Sequence, residues 1–99
     1  MSETYVVIFL LGQDAYCIPV SVVQEIQGYH ALSPPRPIPD TSPGFEGIID
    51  LRGQVIPVLD LKQRLGIGAM TPSRKTCYII VDTHDEKIGL LVDAVVEVQ

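Results

Sequence analysis

The sequence predicts an all-β fold, a barrel or a sandwich with short helical corners. Short runs rich in β-branched and aromatic residues recur along the 99 residues. Turn residues separate these runs at intervals of about ten residues, which is typical of such folds. The length allows one ordinary domain with a modest core.

Composition and charge exclude several classes of protein. Hydrophobic residues make up 46% and charged residues 19% of the chain, a globular balance. The net charge is −5 and the seven lysines and arginines are scattered, so the chain has no basic stripe that could bind nucleic acid. The longest apolar run, residues 5–11, is far shorter than the roughly 20 residues of a membrane span, and no signal peptide precedes it. We therefore expect a soluble, cytoplasmic protein without membrane insertion.

The first third of the chain predicts a hairpin followed by a third strand. Residues 5–11 are too short for a helix and predict a strand covered on both faces, and a turn at 12–14 leads into a second strand at 15–20. Ser21–Gln24 resembles a capping box that starts about one turn of helix. Residues 25–29 alternate polar and apolar, which predicts a half-buried strand.

A proline-rich segment divides the chain. Residues 33–43 hold five of the eight prolines, which predicts an ordered, extended crossover between strands. The Pro34-x-x-Pro37 spacing is also that of an SH3 ligand. The crossover is the favoured interpretation, and the ligand remains its alternative.

The clearest hairpin follows this segment. Residues 45–51 and 54–59 are strand-like, and Arg52-Gly53 supplies the tight turn, where glycine takes a positive φ without strain. Asp60 then predicts the cap of a short helix over residues 61–65, which stops at a glycine. Further strands are predicted over residues 75–82, 87–92 and 95–98, with a turn at 83–86.

No pattern of catalytic or metal-binding residues is present. The sequence has no nucleophile elbow, catalytic-cysteine signature or glycine-rich phosphate loop. His30 and His84 lie far apart, so no metal site is predicted. Cys17 and Cys77 lie in apolar segments without redox or zinc spacing and are predicted to be buried and reduced. The chain is interpreted as a binding module that is not an enzyme and has no cofactor. An enzyme or ligand-binding barrel is the rival, which requires a deep pocket with convergent polar groups.

Several segments together resemble the CheW-like domain family. The resemblance runs in order from about residue 5 to the last residue, and the combination is specific although each piece alone is weak. Asp50 is one departure, because the family usually has asparagine there. The matching segments are Val7-x-Phe9 with Leu11-Gly12, VSVVQEI (20–26), FEGIIDLRGQVIPVLDL (45–61) and IGLLVDAV (88–95).

The resemblance implies two SH3-like five-stranded β-barrels with short helical corners. Residues 1–99 would be a single CheW-like domain that is truncated at its C-terminal end, because family members continue with a final strand pair and helix. The second barrel would then be incomplete and would expose strand edges. We expect the chain to exchange strands in a homodimer or to be a fragment of a longer protein.

The resemblance also implies a function. A CheW-like domain is a non-catalytic scaffold that couples the cytoplasmic tip of methyl-accepting chemoreceptors to the regulatory domain of the histidine kinase CheA in bacterial chemotaxis. The matching signatures point to Glu25 and Arg52 as partner-binding residues, with Val22 and Val23 beside them. A structural ion pair between Glu25 and Arg52, and core packing of the valines, remain open alternatives. The kinase-binding surface is not assigned to particular residues.

Other settings of the same domain remain open. A related chemosensory or pilus-motility pathway, a longer hybrid protein and the kinase itself are the alternative settings. A start at Met1 almost without a leader favours a stand-alone adaptor.

Overall fold

The structure is a computed structural model that describes residues 5–39 and 42–99. Residues 1–4 lie outside the described part, as do Asp40 and Thr41 of the predicted proline-rich crossover. The described chain is mostly β. Its strands are β1 (Val6–Leu11), β2 (Asp14–Pro19), β3 (Val23–Gly28), β4 (Phe45–Leu51), β5 (Gln54–Asp60), β6 (Cys77–Asp82), β7 (Lys87–Val92) and β8 (Ala94–Val98), and its one α-helix is α1 (Leu61–Arg64).

The strands form two sheets. A five-stranded sheet has the order β3-β6-β7-β5-β4, and a three-stranded sheet has the order β2-β1-β8. All neighbouring pairs are antiparallel except β5 and β7, which run parallel over three residue pairs from Val58 to Asp60 on β5. This confirms the all-β prediction.

Strand β6 lies between two hydrophobic clusters and is buried on both faces. Successive side chains of a strand point to opposite faces, so its residues divide between the clusters. Tyr78 and Ile80 face the first cluster, which we call the barrel core because it lies on the inner face of the five-stranded sheet. Ile79 and Val81 face the second cluster, the intersheet core, which the three-stranded sheet covers. The barrel core also contains Ile49, Leu51, Ile56, Val58 and Leu91.

The three-stranded sheet is less covered than the sequence predicts. On β1, Val7, Phe9 and Leu11 are buried in the intersheet core, whereas the alternate residues are only half-buried. The prediction of a strand covered on both faces is therefore wrong. The prediction of a buried Cys17 is also wrong, because Cys17 pairs with Ile8 on the face turned away from this core and is exposed. Cys77 is half-buried.

Two local predictions have different outcomes. Asp60 caps α1 as predicted, and its carboxylate accepts the backbone N–H groups of Lys62 and Gln63. The capping box at Ser21–Gln24 does not form. Val20–Val22 is a single 3-10 turn that follows Pro19 without a side-chain cap, and β3 begins directly after it.

The proline-rich segment serves as a crossover and closes part of the free edge of β4. Arg36 forms an isolated antiparallel bridge with Ile48, in which each backbone amide donates to the other carbonyl, at 2.8 and 3.0 Å. Backbone pairing of this kind protects a strand edge from other chains. The bridge supports the crossover interpretation for residues 33–39, the part of the predicted segment before the two residues outside the described part.

A buried hydroxyl at Tyr78 predicts an unusual effect of substitution. The Tyr78 ring is fully buried and stacks on Tyr29 with 5.6 Å between ring centroids, but its hydroxyl has no hydrogen-bond partner within the described residues. Burial, with smaller contributions from Tyr29 and Glu46, raises the pKa of Tyr78 to about 12. An unpaired buried donor costs about 1–3 kcal/mol.

We therefore expect Tyr78→Phe to raise the free energy of unfolding by about 1 kcal/mol. The pKa of Tyr78 in the native protein lies above that of tyrosine in the unfolded chain. The free energy of unfolding therefore falls as pH rises from the unfolded pKa to the native pKa. The substitution should remove that alkaline loss. Urea unfolding at neutral and alkaline pH measures both effects, with Tyr16→Phe as the control. A loss of stability in Tyr78→Phe at neutral pH would contradict the unpaired hydroxyl.

Candidate functional site

The predicted site residues lie at one end of the five-stranded sheet. Strands β3, β5 and β7 begin at this end, and β6 ends there. The turn between β4 and β5 carries Arg52 to the same end, because it joins two antiparallel neighbours. We call this end the rim of the barrel core.

A β-bulge in β3 places Glu25 on the rim. Val23 pairs with Val81, but Glu25 pairs with Ile80, so one extra residue is accommodated between them. Without the bulge, Val23 and Glu25 would share a face; with it they face opposite sides. Val23 thus packs into the intersheet core, and the Glu25 carboxylate points to the open end of the barrel core.

Arg52 and Glu25 form an ion pair across this end. The Arg52 guanidinium donates to Oε1 of Glu25, and the side-chain amide of Gln27 donates to Oε2 at 2.8 Å. The Glu25 side chain is only 19% exposed, whereas that of Arg52 is 67% exposed. The carboxylate thus holds the guanidinium in place while most of the Arg52 side chain remains exposed.

The turn that carries Arg52 is fixed by local geometry. Arg52 and Gly53 both have positive φ, 51° and 83°, which is the type I′ turn that two-residue hairpins favour. The Asp50 carboxylate accepts the Gly53 amide at 3.0 Å. The aspartate that departs from the family pattern thus makes the hydrogen bond that closes this turn.

The ion pair also implies that the sheet is curled. Glu25 lies on β3 at one edge of the sheet, and Arg52 lies next to β4 at the other edge. In a flat sheet, strand spacings of about 4.8 Å would separate these elements by more than an arginine can reach. This curl is compatible with the predicted SH3-like barrel.

Sequence reasoning did not predict two polar residues of the rim, Gln54 and Lys87. The Lys87 ammonium donates to the side-chain oxygen of Gln54 at 2.8 Å. The hydrogen bond from Gln27 is the largest cause that lowers the pKa of Glu25, and Arg52 and Lys87 lower it further. The sequence positions of Gln54 and Lys87 could have indicated this role. Each is the first residue of its strand and points to the same face as the core residues of that strand.

We expect the carboxyl group of Glu25 to titrate below its ordinary value. The native pKa of Glu25 is lowered, so the stabilisation from its charged carboxylate is present above the unfolded pKa. This stabilisation is lost as pH falls through the native pKa. NMR titration of the side-chain carboxyl carbon measures this pKa. Gln27→Ala and Arg52→Ala should each raise it, whereas Gln63→Ala, on α1, should not. An unchanged pKa in both rim variants would contradict this geometry.

Val22 and Val23 both have packing roles. Both are half-buried and pack against the intersheet core, as the alternative interpretation predicted. Val22 also lines a surface groove of about 730 Å³ with the turn between β6 and β7. The structure brings Glu25 and Arg52 together, with Val22 on the neighbouring surface and Val23 on the opposite face of β3.

Two further findings concern the whole described chain. Within residues 5–39 and 42–99, no group of three or more side chains is arranged to hold a metal ion. No helix in those ranges is long and apolar enough to cross a membrane.

The model of the CheW-like domain matches residues 5–99. The chain belongs to the CheW-like domain family. It is 34% identical over 90 residues to the chemotaxis protein CheW of Rhizobium meliloti, an alignment that covers 91% of this chain and 56% of that protein. It is 32% identical to CheW of Bacillus subtilis over 88% of this chain and 54% of that protein.

A solved CheW structure has the same fold. The crystal structure of the scaffolding protein TtCheW from Thermoanaerobacter tengcongensis superimposes with a TM-score of 0.89 at 41% identity. The match covers 99% of this chain and 65% of that structure. This CheW-like domain thus spans about half the length of the curated relatives it matches. TtCheW is a scaffolding protein, a function consistent with the prediction that this chain is a binding module.

Proposed function

We propose that this CheW-like domain is a non-catalytic adaptor that couples the cytoplasmic tip of chemoreceptors to the regulatory domain of the histidine kinase CheA. The observation that carries the proposal is the Glu25–Arg52 pair on the rim. A guanidinium offers a planar fork of donors, and here a recessed carboxylate holds it in place while most of it remains exposed. That arrangement suits binding of a partner more than turnover.

The receptor surface in this proposal consists of Arg52, Glu25 and the Val22 groove. Val22 supplies an apolar contact next to a charged one, and contacts of both kinds are usual at protein interfaces. Val23 supports this surface from the intersheet core. The scaffold acts in the cytoplasm by holding receptor and kinase together, so its output is a coupling free energy.

Two features of the assembly belong to the same proposal. Residues 1–99 would form a single CheW-like domain whose three-stranded sheet pairs with a second copy by strand exchange. Support for exchange comes from the exposure of Val96 and Val98 on the edge strand β8. The related setting, a chemosensory or pilus-motility pathway or a hybrid protein, uses the same surface with other partners.

We expect Arg52→Ala to weaken receptor-dependent activation of the kinase by about tenfold, which corresponds to about 1.4 kcal/mol of coupling. An exposed ion pair contributes only about 0–1 kcal/mol to stability, so the fold should remain. Kinase phosphorylation in reconstituted receptor arrays measures coupling, and thermal unfolding measures stability.

Arg74→Ala is the matched control, because Arg74 is an exposed arginine in the loop before β6. It should leave both quantities unchanged. A large drop in melting temperature for Arg52→Ala would assign Arg52 a structural role instead. Unchanged kinase activation would remove Arg52 from the proposed receptor surface.

A further inference from the structure

A second surface lies on the other side of the turn between β6 and β7. The first half of β5 and this turn line an open groove of about 520 Å³. Val55 and Pro57 contribute apolar surface to it, and Val55 is 61% exposed. We call it the β5 groove. It contains neither Glu25 nor Arg52, although it shares Asp82 and His84 with the Val22 groove.

The first half of β5 borders the groove and is not part of the ladder with β7. This parallel ladder begins at Val58 and Gly89, although both strands start earlier. Continued backwards, the ladder would next pair Pro57 with Ile88. Proline has no backbone N–H to donate, so the ladder ends at this position.

The apolar surface of the groove comes from the outer face of β5. Successive side chains of a strand point to opposite faces. Val55 and Pro57 therefore lie on the face opposite to the core residues Ile56 and Val58.

The opposite wall of the groove is acidic. Asp82, Asp85 and Glu86 are exposed and line it, while the Lys87 ammonium is held by Gln54. Three carboxylates therefore line the groove beside one engaged ammonium. The groove thus combines exposed apolar side chains and negative charge.

We infer that the β5 groove binds an extended segment of a partner protein in which basic residues alternate with apolar ones. In an extended segment, alternate side chains point to opposite sides. One side then contacts Val55 and Pro57, and the other meets the carboxylates of the turn. This complementarity selects a basic segment over an acidic one. The inference does not rest on the proposed receptor coupling, because Val55, Asp85 and Glu86 line the β5 groove and not the Val22 groove.

The test is an NMR titration of the isotope-labelled chain with a blocked peptide of about six residues, alternating lysine and valine. We expect the largest amide shifts at Val55 and Ile88, and weaker binding as salt concentration rises. Val55→Lys should weaken binding about tenfold, because it removes an apolar contact and adds a like charge. The double charge reversal Asp85→Lys and Glu86→Lys should weaken binding of this peptide and favour a matched peptide with glutamate in place of lysine.

Ile67→Lys is the matched control, because Ile67 is another exposed β-branched residue, in the loop after α1. It should bind the lysine peptide as the unsubstituted chain does. Equal weakening by Ile67→Lys, equal affinity for the glutamate peptide, or shifts centred on β8 would overturn the inference. Concentration-dependent shifts at Val55 without peptide would assign the groove to a second copy and would also overturn it.

Discussion

Gly47→Ala is expected to destabilise the domain by about 3–5 kcal/mol, the sum of a strained backbone and an overpacked contact. Gly47 has φ of 135°, in a region that is essentially restricted to glycine. An added Cβ would lie 2.2 Å from the carbonyl oxygen of Arg36 and 2.7 Å from its carbonyl carbon. Both atoms belong to the backbone, so neither can rotate away. Relief of the clash would break the bridge between Arg36 and Ile48.

Gly12→Ala is the matched control for this substitution. Gly12 also has a positive φ, 64°, but nothing lies within 4 Å of an added Cβ. Its cost should be only the conformational one, about 1–2 kcal/mol. Urea unfolding of both variants measures the difference. Equal losses in the two variants would show that the proline-rich segment does not pack against Gly47 as described.

Asp60→Ala is expected to destabilise the domain by about 3–4 kcal/mol, because it removes a helix cap and leaves backbone amides unpaired at a buried site. Asp60 is fully buried. Its Oδ1 accepts the amides of Lys62 and Gln63, at 3.0 and 3.3 Å, and its Oδ2 accepts the Met70 amide at 2.7 Å. The carboxylate thus joins the start of α1 to the loop that precedes β6.

Asp82→Ala is the control, because Asp82 is an exposed aspartate that accepts one local amide, that of His84. Its cost should stay below about 1 kcal/mol. In Asp60→Ala, hydrogen exchange at the Met70 amide should become much faster than in the control. Slow exchange at Met70 together with a small loss of stability would contradict the buried network.

The sequence predicted the local features that depend on one or two residue types. Arg52-Gly53 forms the predicted two-residue turn, because glycine and the I′ geometry match. Asp60 caps the predicted helix, because a short carboxylate reaches the amides of the first turn. The pairing of Glu25 with Arg52 was an open alternative, and the structure confirms it.

Features set by tertiary packing were harder to predict. The bulge between Val23 and Glu25 has no sequence signature. It alone determines that the side chain of Glu25, and not that of Val23, faces the rim. Cys17 was predicted to be buried from its apolar neighbours, but its strand is an edge strand with one exposed face. Lys87 and Gln54 approach each other only because β5 and β7 are neighbours in a parallel pair, which the order of the elements did not indicate.

The turn between β6 and β7 lies between the proposed receptor surface and the β5 groove. His84 lines both the Val22 groove and the β5 groove, and it has a positive φ of 76°. The two proposed surfaces would therefore share one wall, and partners bound on either side would contact the same short turn.

Light scattering of the chain, alone and mixed with the regulatory domain of a cognate CheA, tests most directly whether the domain is an adaptor for the kinase. We expect a compact complex whose mass equals the sum of the two components, with a folded chain by circular dichroism. A folded chain that remains separate from the kinase domain at all concentrations would contradict it.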